Sequence, residues 1–176
     1  MRRNRTTFCL VAAFLFLTSC SSTLLELANE KLSIGDYSAA ADLYEEYLET
    51  KPDTLIPGRK LGYALLKSGN AADAVIRFKR VLAEFPGDTF STLYLGLAYL
   101  HVGERDKVVS TWRNYPSEKS SRVAEEIKKQ VKVIADSGPE LSDELIAAVD
   151  FVITAAVDED RSRNAYNLWR LGDDCG

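Results

Sequence analysis

The chain has 176 residues, with 22 Lys and Arg against 26 Asp and Glu, and a net charge of −4 at pH 7. An acidic balance excludes nucleic acid as the main partner, because phosphate binding needs a basic surface, and it excludes broad electrostatic adhesion to anionic lipid. One histidine and three cysteines leave little material for a metal centre.

Arg2, Arg3 and Arg5 precede the apolar run Phe8 to Leu17. That run is too short to span a bilayer and fits a secretory signal. It ends in Leu17-Thr18-Ser19-Cys20, which resembles the lipobox of bacterial lipoproteins. The resemblance implies cleavage before Cys20 and diacylglycerol on its thiol. Residues 1–19 are then a removed signal peptide, and 20–23 a short lipidated tether. The alternative is an ordinary signal cut elsewhere. Ser21 is not the aspartate that commonly signals inner-membrane retention in this class. In a host with two membranes the resemblance therefore implies the outer membrane, facing the periplasm. Loss of the three arginines leaves 157 residues with 19 basic and 26 acidic groups, the size of one domain. Cys9 leaves with the signal and Cys20 is acylated, so Cys175 alone remains. It either pairs with another molecule or stays free in a frayed tail.

The next ninety residues carry a fixed period. Gly35, Gly69 and Gly103 are 34 residues apart. Leu27, Leu61 and Leu95 keep step with them, as do Ala28, Gly62 and Gly96, then Ala40, Ala74 and Val108, and then Tyr44, Phe78 and Trp112. Each unit reads as two short helices around a glycine turn, with the glycine free to take the left-handed conformation. In the first unit, Leu24, Leu27, Ala28 and Leu32 mark one helix, and Ser38 to Thr50 the other. The small residues let helices approach closely, and the large aromatic fills the gap to a neighbouring unit. Pro52 and Pro86 close the first two units. The third departs: its second helix, Asp106 to Tyr115, meets Pro116 early, and Ser120 stands where a closing proline is expected.

These residues resemble the tetratricopeptide repeat. Its Leu-Gly pair is matched at Leu61-Gly62 and Leu95-Gly96, and as Leu27-Ala28 in the first unit; its Gly-Asp-Tyr turn is complete only at Gly35-Asp36-Tyr37. The resemblance implies an all-α fold, a right-handed superhelix of helix-turn-helix hairpins with a C-terminal helical cap. Three repeats span 24–116, at about 24–54, 55–88 and 89–116, and the cap spans 117–176.

Within the cap, a polar connector leads to a helix from about Ser121 to Asp136 with Val123, Ile127, Val131 and Ile134 on its stripe. A second helix runs from about Leu141 to Val157, where Asp143, Glu144 and Asp150 rule out a membrane span. Gly138 lies 35 residues after Gly103, which admits a degraded fourth hairpin. Asp158 to Arg163 reads as a solvated charged turn, and a last short helix near 164–171 is anchored by Tyr166 and Trp169.

Signs of catalysis are absent from the sequence. There is no GxSxG, phosphate-cradling loop or HExxH. No residue is assigned to catalysis, to a metal or to a cofactor. The resemblance implies instead that the first helix of each unit lines a concave groove. Its inward positions are Asn29 and Leu32, then Arg59, Tyr63 and Leu66, then Phe90, Leu93, Tyr94, Leu97 and Leu100. The apolar third unit either binds a partner segment or is buried by the C-terminal helices folding back. The expected function is a non-catalytic, lipid-anchored adaptor docking proteins of a cell-envelope, secretion or surface-assembly system. One alternative is a pilotin-like or assembly-factor lipoprotein escorting an outer-membrane component. Another is an enzyme of cell-wall or polysaccharide metabolism.

Overall fold

The computed structural model describes residues 23–116, 121–138 and 140–162. The signal segment with Cys20, most of the polar connector, the expected last helix with Tyr166 and Trp169, and Cys175 lie outside the described residues. The helices are α1 (23–33), α2 (Tyr37–Thr50), α3 (Leu55–Lys67), α4 (Ala71–Glu84), α5 (Thr89–His101), α6 (Arg105–Arg113), α7 (Arg122–Asp136) and α8 (Asp143–Ser162). No strand occurs among the described residues, and no helix among them is long and apolar enough to cross a membrane.

The three period-setting glycines make the turns. Gly35, Gly69 and Gly103 have φ of 80°, 87° and 75°. At each turn the next residue donates its N–H back across the helix end: Asp36 to Lys31 O at 3.0 Å, Asn70 to Leu65 O at 2.8 Å, Glu104 to Tyr99 O at 3.0 Å. This satisfies a carbonyl that the helix end leaves open and requires the left-handed glycine.

Small residues and aromatics then lock each hairpin. A Cβ on Gly62 would fall 2.6 Å from the Phe78 ring, and one on Gly96 would overlap Trp112. The indole N–H of Trp112 donates to Leu93 O at 3.1 Å, which fixes the ring on α5. Phe78 stacks on Tyr94 of the next hairpin at 6.2 Å as well, so it also fills the gap between units. In the first hairpin the small residue is Ala28 and the aromatic Tyr44, both fully buried. Asn29 Oδ1 there accepts from the Tyr44 hydroxyl at 2.7 Å and from Lys60 Nζ at 2.6 Å, tying α1, α2 and α3 together. Burial pushes the Tyr44 hydroxyl pKa up, so it remains a donor.

From α2 onward each helix packs on its chain neighbour, and α5 also meets α3 and α8. Arg105, the first residue of α6, caps the far end of α7: its guanidinium donates to Ile134 O at 3.0 Å, to Ala135 O and to Ser137 O at 3.4 Å. A cation at open C-terminal carbonyls also suits the helix dipole.

One expectation about the cap is overturned. Residues 158–162 are not a solvated turn but the last turns of α8, and Asp160 is fully buried. Its carboxylate accepts from Ser121 Oγ at 2.9 Å, Arg122 N at 2.9 Å and Val123 N at 3.0 Å. The physical reason is the exposed N-terminus of α7, whose unpaired N–H groups and positive dipole end need an anion.

Candidate partner-binding groove

Helical periodicity puts Arg59, Tyr63 and Leu66 on the face of α3 opposite Leu61 and Leu65. An aromatic row runs along that face. Tyr37 meets Tyr63 edge-on at 6.1 Å, and Tyr63 meets Tyr94 edge-on at 5.2 Å. Lys67 Nζ lies 5.9 Å from the centre of the Tyr63 ring. Burial, and then the neighbouring Tyr37 hydroxyl, push the Tyr63 pKa up, so Tyr63 keeps its proton.

Arg59 is tied down. Its guanidinium is ion-paired with the buried Asp88 and sits 5.7 Å from the Phe90 ring. Asp88 in turn caps α5 by accepting from Ser91 N at 2.8 Å. The pair joins α3 to the start of α5, and burial lowers the Arg59 pKa. Arg59 is therefore a wall of the groove with an internal partner.

The third unit's share of the groove is closed. Phe90, Leu93, Tyr94, Leu97 and Leu100 are buried, in one core with Val149, Ile153, Ala156 and Val157 of α8. These five expected groove residues are thus core residues in this structure, and Leu66 joins them. The cause is α5 itself. It is buried continuously from Leu93 to Leu100, so an apolar element must cover its second side. Of the two readings open in the sequence, the structure takes the one in which the C-terminal helices fold back.

His101 and Asp150 pin α8 across the end of α5, with Nε2 and Oδ1 3.7 Å apart. The nearby His101 imidazole holds the Asp150 carboxyl below its ordinary value against the opposing effect of burial, helped by the charge of Lys67. Asp150 and Asp158 both act electrostatically on Tyr63 and Tyr94. The expected groove residues of the first two units are less buried, Leu66 apart. Asn29, Leu32, Tyr37, Arg59, Tyr63 and Lys67 are partly exposed there, beside the acidic flank of α8.

Tyr37, Lys67, Asp150 and Asp160 were not singled out by sequence as site or capping residues. A signal existed for Asp160. Val149, Ile153, Ala156 and Asp160 recur at helical spacing on one face. A carboxylate on an apolar stripe needs a donor cluster. No group of three or more His, Cys, Asp or Glu that could hold a metal occurs among the described residues.

No protein-family profile matches the chain, and no curated protein matches it in sequence. Among solved structures it is similar to MamA, residues 41 to the end, from Desulfovibrio magneticus RS-1, a tetratricopeptide-repeat-containing protein. The TM-score is 0.60 at 19% identity, over 81% of this chain and 77% of that one. The fold is tetratricopeptide-repeat-like. At such identity the likeness carries the fold alone.

Proposed function

We propose that the protein is a non-catalytic, lipid-anchored adaptor that docks a protein of a cell-envelope, secretion or surface-assembly system. The observation that supports the reading is the partly exposed aromatic face of the first two hairpins. The Tyr37–Tyr63 pair and Lys67 lie on it, and α8 packs on the neighbouring α5. Rigid tyrosines bury large area at small entropic cost, which suits protein recognition. The lipobox-like Leu17-Thr18-Ser19-Cys20 supports an anchor on Cys20. Helix α1 is described from Thr23, three residues later, a span of at most ~11 Å. That spacing keeps the groove near the membrane and raises the local concentration of an envelope partner. In a host with two membranes the site is the outer membrane, facing the periplasm.

In-cell photo-crosslinking from Tyr63 and Leu32 tests the groove. Both positions should capture the same protein, while a control at Ile76, on α4 away from the groove, should not capture that protein. Absence of that capture from both groove positions would remove the assignment. Membrane fractionation of Cys20→Ala tests the anchor independently: the variant should leave the membrane fraction while remaining folded.

A further inference from the structure

Helices α7 and α8 form a hairpin that departs from the earlier ones. Its second helix, α8, packs on α5 as well as on α7. The second helix of the preceding hairpin, α6, makes no comparable contact with α3. Helix α8 is thus drawn towards α5, and a recess of about 380 Å³ remains between α6 and α7. Trp112 and Tyr115 line it on the α6 side, and Ile127 and Val131 on α7. Its only charged lining residues are Arg113 and Lys128, both exposed. Neither is ion-paired among the described residues, and nor is the exposed Lys132, one turn beyond Lys128.

The chain itself leads to this recess. Asp160, in the last turn of α8, accepts from Ser121 Oγ, and that hydroxyl accepts from the N–H of Ala124, the first recess residue of α7. Helix α8 ends at Ser162, and residues 163–176 follow. Their sequence carries a short amphipathic pattern. Asn164 is a favoured N-cap and Gly172 a favoured residue just past a helix end. Between them Ala165, Leu168 and Trp169 fall at i, i+3 and i+4 on one face, with Tyr166 at its margin. Asn167 and Arg170 fall on the other side. A helix over 165–171 is ~10 Å long, the same as α7 from Ala124 to Val131. The only acids of the segment, Asp173 and Asp174, come directly after it.

We propose that residues 165–171 of the same chain dock as a helix in the recess between α6 and α7, with Leu168 and Trp169 against Ile127 and Val131. Entering beside Ala124 and running along α7, the segment brings Asp173, Asp174 and the negative end of its own dipole to Lys128 and Lys132. Arg170 faces solvent. The connector 117–120 reads Ser-Glu-Lys-Ser and brings no apolar side chain to fill the same space. A segment tethered at Ser162 is present at an effective concentration of order mM, which favours it over a free partner.

The test uses the full chain in its host, with a photo-crosslinking residue in place of Lys128, which lines the recess and is exposed. The monomer band of a reducing gel should contain an internal crosslink from position 128 to residues 165–174, read by mass spectrometry of its peptides. Trp169→Ala should reduce the yield of that crosslink about tenfold or more. Asp173→Lys combined with Asp174→Lys should reduce it about threefold. If Trp169→Ala fails to fold, the lysine pair decides. An unchanged yield in the deciding variant overturns the inference. So does a crosslink from position 128 only to a second copy, to another protein or to residues 117–120, or no crosslink at all.

Discussion

Ser121 Oγ donates a 2.9 Å hydrogen bond to Asp160 Oδ2, across 39 residues of sequence and between two helices. The same hydroxyl accepts from Ala124 N at 3.1 Å and so caps α7. One hydroxyl and one carboxylate thus close the N-terminus of α7 and tie it to α8. The position of α8 decides how much of α5 is covered.

Removing that carboxylate should be costly. Asp160→Ala strands the Ser121 hydroxyl and two backbone N–H groups, for an expected loss of ~2–5 kcal/mol. Ser121→Ala should cost less, ~1–2 kcal/mol. Urea unfolding of both variants and the double variant checks this, and the effects should be less than additive. A change under half a kcal/mol in Asp160→Ala would mean that the cap does not stabilise the fold.

Glycine replacements should separate two kinds of constraint. Gly96→Ala drives a methyl into Trp112 and should cost ~1–3 kcal/mol or more. Gly35→Ala meets nothing within 4 Å but keeps φ near 80°, and should cost ~1 kcal/mol through the backbone alone. Gly87→Ala has neither problem and should be near neutral. Tryptophan emission should shift only in Gly96→Ala, since Trp112 alone is touched.

Asp150 sets a pH dependence of known sign. Its pKa in the folded chain is lowered, first by the neighbouring His101 imidazole. Its contribution is therefore present above the unfolded value of about 3.9 and is lost as pH falls through the folded value. Stability measured from pH 5 downward should fall less steeply in Asp150→Asn than in the natural chain. Equal slopes would show that the His101 contact does not hold the carboxylate.

Leu97 and Tyr63 sit on the groove positions of successive units, yet they should behave differently. Leu97 is 1% exposed, so Leu97→Ala should open a cavity costing ~2–5 kcal/mol, read as a lower Tm. A crosslinker at Leu97 should capture no partner while α8 is docked. Tyr63→Ala should weaken partner capture with a smaller stability change. Efficient capture from Leu97 in a chain of native stability would show that α8 leaves the groove.

Much of this architecture is local and was legible. A 34-residue period with glycine turns determines helix hairpins, because a left-handed turn needs glycine and a Leu-Gly pair needs a facing aromatic. Gly35, Gly62, Gly96 and Trp112 carry that information in their spacing alone. The site was legible only in part. Arg59 and Tyr63 are partly exposed, but Leu93 and Leu97, at the same repeat positions one unit later, are buried.

Sequence by itself determined the hairpins, their stacking positions and the acidic character of the chain. Tertiary structure decided which face is free. Val157 reaches the core around Tyr94 from 63 residues away, and Asp160 reaches Ser121 from 39. Helical periodicity places a residue on a face of its own helix, but it does not say which other helix covers that face. That choice follows from the need to bury α5 on both sides and to neutralise the start of α7, and α8 meets both at once.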